Sequence, residues 1–150
     1  CAEAIMYAMM AVTDPGDDIL VFEPFYPSYK SFAKMIGVTL RPVTLHIENN
    51  YTLPSEREIE QKITRKTKAI VIINPNNPTG TVFSKQELSH IVKIARRKNL
   101  FIISDETYRD IIFQGKPASL LQFSAARDRV IVVDSGASSR SSWSGGGDGG

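Results

Sequence analysis

The feature that most constrains this 150-residue sequence is a buried strand followed by a proline-rich turn and a helix start. The five apolar residues 69–73 are typical of a strand covered on both faces. The turn at residues 74–80 reads Asn-Pro-Asn-Asn-Pro-Thr-Gly, and Ser84 and Glu87 then have the spacing of a capping box. Such a unit predicts a parallel α/β sheet, in which ligands bind at the carboxyl edge of the strands.

The same alternation of strand and helix recurs along the chain. The patterns predict strands at residues 19–22, 38–43, 69–73, 101–103 and 129–133, and helices at 2–13, 28–36, from 55 onward, and 84–98. We therefore expect one three-layer α/β/α domain with a mainly parallel sheet. Four residues that follow different strands should then meet at one edge of that sheet: Tyr26, Asn77, Asp105 and Ser135.

Composition places the chain among ordinary soluble proteins and gives no sign of a nucleic-acid or membrane partner. Hydrophobic residues make up 42% and charged residues 23%, with a net charge of +2. The single cysteine, Cys1, cannot form an internal disulfide, and the longest apolar run is too short to span a bilayer. His46 and His90 lack neighbours at metal-ligand spacing, so we expect no metal site. A cytoplasmic location is the default expectation.

Two motifs at this spacing resemble those of a known enzyme family. Asn-Pro-Asn-Asn-Pro-Thr-Gly at residues 74–80 and Ser-Asp-Glu-Thr-Tyr-Arg at residues 104–109 look like the large domain of the class I/II pyridoxal-phosphate (PLP) aminotransferases. The resemblance covers residues 1–135 and implies the aspartate-aminotransferase-like fold, known as fold type I. It is specific for the superfamily and does not identify a substrate.

The resemblance implies a set of cofactor-binding residues at the predicted sheet edge. Asp105 matches the carboxylate that faces the pyridine nitrogen, and Asn77 and Tyr108 match the groups that hydrogen-bond the ring phenolate. Tyr26 matches the aromatic residue that stacks on the ring. The phosphate would be held by the Ser135 hydroxyl and by the backbone amides of Cys1 and Ala2 at the start of the first helix.

A catalytic residue of the family pattern is absent from this sequence. The family has a lysine that binds the cofactor covalently three residues after the serine at position 135, but this chain has Ser138 there. The family's phosphate-binding arginine, eight residues further on, is replaced by Gly146. Arg140 could not substitute for the lysine, because a guanidinium stays protonated and does not form the imine. The chain as written is therefore expected to be inactive.

The end of the chain changes character abruptly. Twelve of the sixteen residues from 135 to 150 are Ser or Gly, a composition typical of a flexible linker. We divide the chain into a partial PLP-binding large domain, residues 1–135, and a Ser/Gly-rich tail, residues 136–150, that is disordered or artefactual. Three explanations stay open: a truncated fragment with an appended tail, a sequence error beyond Ser135, or a natural pseudo-enzyme.

The resemblance also implies what the intact protein does. It would be an aminotransferase that moves an amino group between an amino acid and a 2-oxo acid, working as a homodimer. A PLP-dependent β-lyase or synthase of the same fold is the alternative within the enzyme class. From a different class, Ser138 leaves open a non-catalytic fragment or pseudo-enzyme. We also expect an isolated fragment to expose apolar surface and to aggregate.

Overall fold

The computed structural model describes residues 2–109 and 117–134. Its helices and strands alternate as the sequence predicts, in the order α1 Ala2–Val12, β1 Asp18–Glu23, α2 Ser28–Ile36, β2 Thr39–Thr44, α3 Glu56–Gln61, β3 Thr67–Ile73, α4 Lys85–Lys98, β4 Phe101–Asp105 and β5 Val130–Val133. Short 3-10 turns lie at Ile47–Asn49, Leu120–Gln122 and Ser124–Ala126. Cys1, Ser135 and Ser138 lie outside the described residues.

The five strands form one parallel sheet with the order β2-β1-β3-β4-β5. This confirms the predicted mainly parallel α/β architecture. The chain leaves β1 toward β2 on one side and returns to β3 on the other, so the order reverses between β1 and β3. In open α/β sheets, the crevice at the carboxyl ends of two such strands is the usual ligand position.

Alternate residues of each strand face the two helical layers, as the pleat of a strand requires. Leu20, Ile70 and Ile102 pack in one core cluster with the buried side of α4. Ile19 and Val71 pack in the opposite cluster with residues of α1 and α2. The strand residues are apolar on both faces because both faces are covered.

Local sequence signals fix the ends of the helices. The predicted capping boxes are present: Ser84 and Glu87 exchange hydrogen bonds at the start of α4, and Ser55 and Glu58 do so at α3. Helix α2 ends at Gly37, whose φ of 74° is left-handed. A side chain at Gly37 would be strained by this φ, and its Cβ would also lie 3.2 Å from the Pro15 Cβ.

One boundary differs from the sequence prediction in a way that matters for the site. We expected Ser104 and Asp105 to follow the strand that begins at residue 101, but β4 continues through Asp105. Asp105 pairs with Ile73 of β3 on one side and Val133 of β5 on the other. Its backbone is therefore held between two neighbouring strands, at the carboxyl edge of the sheet.

Candidate functional site

A small cleft lies at the carboxyl edge of the sheet, where the order of the strands reverses. Its volume is about 90 Å³. The cleft brings together five of the seven residues predicted to bind the cofactor: Ala2, Tyr26, Asn77, Asp105 and Tyr108. The other two predicted residues, Cys1 and Ser135, lie outside the described part of the chain.

Asp105 is the buried acid of the cleft, with only 6% of its surface exposed. The Tyr29 hydroxyl donates to its Oδ2 over 2.7 Å. Thr107 donates to Oδ1 twice, from its backbone N–H at 3.1 Å and from its hydroxyl. A carboxylate has about four acceptor positions, so these three donors leave one for a further N–H.

Tyr29 is a residue that sequence reasoning missed. We placed it in the helix at residues 28–36 and gave it no function, yet it is 1% exposed and lines the cleft. Burial, the neighbouring Asp105 charge and the hydrogen bond to Asp105 together raise the pKa of Tyr29 far above its ordinary value. Its hydroxyl therefore stays protonated and acts as a fixed donor to Asp105.

A sequence signal for Tyr29 did exist. The helix that follows β1 begins at the same edge as the turn that carries Tyr26, and its first turn must lie beside the ends of neighbouring strands. Tyr29 is three residues after Tyr26 and is the polar aromatic residue of that first turn. Its partner could not be deduced, because the contact with Asp105 spans 76 residues of sequence.

Asn77 and Tyr108 contact each other across the cleft. The Asn77 Nδ2 donates to the Tyr108 hydroxyl over 3.0 Å. The second Nδ2 hydrogen of Asn77 and the hydroxyl hydrogen of Tyr108 are then available to an oxygen anion placed beside the pair. The structure thus brings these two predicted residues together, from the loops after β3 and β4.

Two adjacent aromatic residues after β1 divide between the cleft and the core. Phe25 packs on the core cluster of α1 and α2, and it meets the Tyr29 ring edge-on with 6.2 Å between centroids. Tyr26 lines the cleft and keeps 49% of its surface exposed. A large exposed ring at the edge of this cleft is a suitable surface for stacking a flat ligand.

The chain matches the family "Aminotransferase class I and II" over residues 1–142. It is 36% identical to the aspartate aminotransferase of Thermotoga maritima over 132 residues, which is 88% of this chain and 35% of the relative. It is 43% identical to the glutamate-pyruvate aminotransferase of Haemophilus influenzae over 114 residues, covering 76% of this chain and 28% of that protein.

Solved structures agree with the family match. The aspartate aminotransferase of Thermotoga maritima superposes with a TM-score of 0.83 at 36% identity, covering 89% of this chain and 35% of that chain. The N-succinyldiaminopimelate aminotransferase of Mycobacterium tuberculosis gives a TM-score of 0.82 at 33% identity, with the same coverage. The chain therefore belongs to the class I and II aminotransferases, and it spans about a third of the length of these relatives.

The residues of the cleft fit PLP, the cofactor that this family uses. The acceptor position left on Asp105 suits a protonated pyridine nitrogen, and the two hydrogens at Asn77 and Tyr108 suit the ring phenolate oxygen. The volume of about 90 Å³ is well below the roughly 300–1,000 Å³ of a complete small-molecule site. The cleft that the described residues form is therefore too small to enclose such a ligand by itself.

Within residues 2–109 and 117–134, no helix is long and apolar enough to cross a membrane. The same residues contain no group of three or more His, Cys, Asp or Glu side chains that could hold a metal ion.

Proposed function

We propose that this chain forms the ring-binding part of the large domain of a PLP-dependent aminotransferase. The intact protein would transfer an amino group between an amino acid and a 2-oxo acid. The observation that carries the proposal is the meeting of Asp105, Asn77, Tyr108 and Tyr26 at one cleft. Family membership makes PLP the cofactor to test there.

Each residue of the cleft has a proposed role toward the cofactor. Asp105 would accept the pyridine N–H and keep that nitrogen protonated, while Tyr29 and Thr107 hold the carboxylate in place. Asn77 and Tyr108 would donate to the phenolate oxygen, and Tyr26 would cover one ring face. Bound PLP supplies an electron sink for the substrate.

The phosphate end of the site is a separate part of the proposal. Ala2 lines the cleft at the first turn of α1, where backbone N–H groups point out of the helix. We propose that these amides and Cys1 bind the phosphate together with the Ser135 hydroxyl. The partial large domain would then be residues 1–135, with residues 136–150 as a separate tail.

The remaining walls of the site would come from outside the described residues. A cytoplasmic homodimer, in which a second copy completes the site, is the arrangement that we propose for the intact protein. The names of relatives refer to aspartate, to glutamate and pyruvate, and to N-succinyldiaminopimelate, so they span several substrates. We propose the amino acid and 2-oxo acid class without choosing among them.

Ser138 favours a second candidate, a non-catalytic PLP-binding chain. A serine hydroxyl cannot form the covalent link to the cofactor that the family lysine makes, so this chain as written would hold PLP only by non-covalent contacts. We propose that it has negligible turnover alone. A β-lyase or synthase would use the same ring-binding wall and differ in the reaction that follows.

The test is a chimera in which residues 2–134 replace the matching segment of the Thermotoga maritima aspartate aminotransferase. We expect the folded chimera to bind PLP and to transfer the amino group of aspartate to 2-oxoglutarate. Asp105→Ala should lower the transfer rate at least about tenfold, because the pyridine nitrogen loses its partner. Asp128→Ala, at an exposed position, should leave the rate unchanged.

Three outcomes separate the candidates. A folded chimera that binds no PLP, or whose Asp105→Ala variant transfers at the same rate, would contradict the proposed site. A chimera that binds PLP but only eliminates from its substrate would favour the lyase alternative. Transfer by the chimera together with no transfer by the 150-residue chain would assign the loss of activity to residues outside 2–134, with Ser138 among them.

A further inference from the structure

The residue after Asp105 is a second buried carboxylate with a different set of contacts. Glu106 is 2% exposed, and it is not among the residues that line the cleft. Its Oε1 accepts from the Ser104 hydroxyl at 3.0 Å, from the Ser119 hydroxyl at 2.8 Å and from the Leu120 N–H at 3.3 Å. The Arg109 guanidinium lies 3.5 Å from Oε2.

Three of those donors come from two different parts of the chain. Ser104 belongs to β4, whereas Ser119 and Leu120 belong to a short segment, residues 118–120, that we call the strap. Leu120 is 1% exposed and packs in the core cluster beneath α4, so the strap is itself fixed. Glu106 therefore links the end of β4 to an immobilised part of the core.

The other loop of the cleft contacts the same strap. Asn74 is 2% exposed, and its Nδ2 donates to the Ala118 carbonyl over 3.3 Å. Its Oδ1 accepts from the Phe83 N–H at 2.9 Å, which closes the turn that carries Asn77. The strap is thus bonded to the loop of Asn77 through Asn74 and to the loop of Tyr108 through Glu106.

We infer that Glu106 is a positioning residue for the cleft: by binding the strap, its carboxylate sets the place of Thr107 and Tyr108 relative to Asn77. This inference rests on the proposed function. Thr107 and Tyr108 are one and two residues after Glu106 and lie beyond the end of β4 at Asp105, so a change in the Glu106 contacts acts on both. The Asn77–Tyr108 contact of 3.0 Å would lengthen with that change.

Two conservative substitutions of Glu106 separate its contacts with the strap from the effect of its negative charge. Glu106→Gln keeps the reach of the side chain and an oxygen that can accept from Ser104, Ser119 and Leu120, but it loses the charge. Glu106→Asp keeps the charge but is one methylene shorter, so it cannot contact β4 and the strap together. Glu48→Gln and Glu48→Asp, at an exposed position, are the matched controls.

The first readout needs no cofactor. The Thr107 amide donates to Asp105, so its hydrogen-exchange rate reports on the geometry of the loop. In the 150-residue chain we expect Glu106→Asp to raise that rate at least about tenfold relative to the Ile103 amide in the centre of β4. Glu106→Gln and both Glu48 variants should stay within about threefold of wild type.

The second readout is the dissociation constant of pyridoxine 5′-phosphate, which lacks the aldehyde that reacts with surface lysines. We expect Glu106→Asp to weaken binding about tenfold and Glu106→Gln to weaken it less than about threefold, which a purely structural role would not produce. Equal exchange ratios and equal affinities in both Glu106 variants would overturn the inference. So would the reverse order, in which Gln is worse than Asp.

The two readouts keep this inference apart from the proposed function. Altered Thr107 exchange in a chain that does not bind pyridoxine 5′-phosphate would support the link to the strap and contradict the cofactor site. If wild type binds pyridoxine 5′-phosphate and the Glu106 variants keep the same affinity and the same Thr107 exchange rate, the cofactor site is supported and the role of Glu106 is overturned. A Glu106→Asp chain that fails to fold is replaced by Ser119→Ala, with Ser124→Ala as its control, and the same expectations apply.

Discussion

Tyr29 donates its hydroxyl hydrogen to a carboxylate that Thr107 also contacts, and this places a neutral donor and an acid side by side in the interior. Asp105 was predictable from its motif, whereas its two partners were not. Tyr29 is distant in sequence. Thr107 donates to Asp105, two residues before it, through a loop geometry that hydrophobic periodicity does not predict. At the scale of residues, the sequence therefore predicted five residues of the cleft and missed the two side chains that donate to Asp105.

Tyr29→Phe removes one hydroxyl and leaves the ring in place. Asp105 then has a buried oxygen without its donor, so the free energy of unfolding should fall by about 1–3 kcal/mol. Tyr7→Phe, at a residue that is 60% exposed, is the control and should change it by less than about 0.5 kcal/mol. Urea unfolding measures both variants, and equal stabilities would contradict the buried contact.

The same contact predicts a loss of stability at alkaline pH. The pKa of Tyr29 lies well above its ordinary value of 10.0 in the folded chain, because burial and Asp105 disfavour the phenolate. The folded state then keeps a proton that the unfolded state has lost. The stability that Tyr29 contributes is complete well below pH 10 and falls above it, with a slope that approaches about 1.4 kcal/mol per pH unit. Urea unfolding between pH 8 and 11 should show this slope in wild type, and a Tyr29→Phe variant with the same slope would contradict it.

Helix α4 illustrates how reliably a local signal predicts an element. Ser84 accepts from the Glu87 N–H at 3.2 Å, and the Glu87 carboxylate accepts from the Ser84 N–H at 2.8 Å, as the sequence spacing predicted. Glu87 also accepts from the Leu53 N–H, which no local pattern indicated. The start of α4 was thus predictable, and its attachment to a loop distant in sequence was not.

Ser84→Ala tests the importance of that cap. Removing the hydroxyl leaves a helix N–H without its partner, so we expect the free energy of unfolding to fall by about 0.5–2 kcal/mol. Ser124→Ala, an exposed serine in a 3-10 turn, provides a control for the same chemical change and should have little effect. Thermal or urea unfolding of the two variants is sufficient, and indistinguishable losses would argue against a stabilising cap.

The end of strand β4 is an element boundary that the sequence did not predict correctly. Polar residues Ser104 and Asp105 ended the apolar run and predicted the end of the strand after residue 103. The strand continues because β3 and β5 pair with its backbone regardless of side-chain polarity. Tertiary pairing overrode local propensity, as it often does in central strands.

For the whole molecule, the parallel sheet and its two covered faces follow from the alternation of apolar runs and helices. The position of the cleft at the carboxyl edge was also predicted, whereas the reversal of the strand order between β1 and β3 is seen only in the structure. The Glu106 contacts and the strap could not be predicted, since they join residues through packing that the sequence does not show.

Helix α1 is apolar on its outer side as well, with Tyr7 60% and Met10 53% exposed. That outer face of α1 predicts self-association of the 150-residue chain. An amphipathic surface helix carries polar residues outward, whereas α1 has one charged residue, Glu3. Tyr7→Lys and Met10→Lys together should reduce the mass measured by sedimentation at micromolar concentration. Met35→Lys, at an exposed position on α2, is the control. A wild-type chain that sediments as a monomer would contradict the expectation.

The measurement that tests the central claim most directly is the binding of pyridoxine 5′-phosphate to the 150-residue chain and to two variants. We predict saturable binding by wild type, at least about tenfold weaker binding by Asp105→Asn, and unchanged binding by Asp128→Asn. Circular dichroism establishes that all three chains are folded. A folded wild-type chain without saturable binding, or equal affinity in Asp105→Asn, would contradict the assignment of this cleft to the cofactor ring.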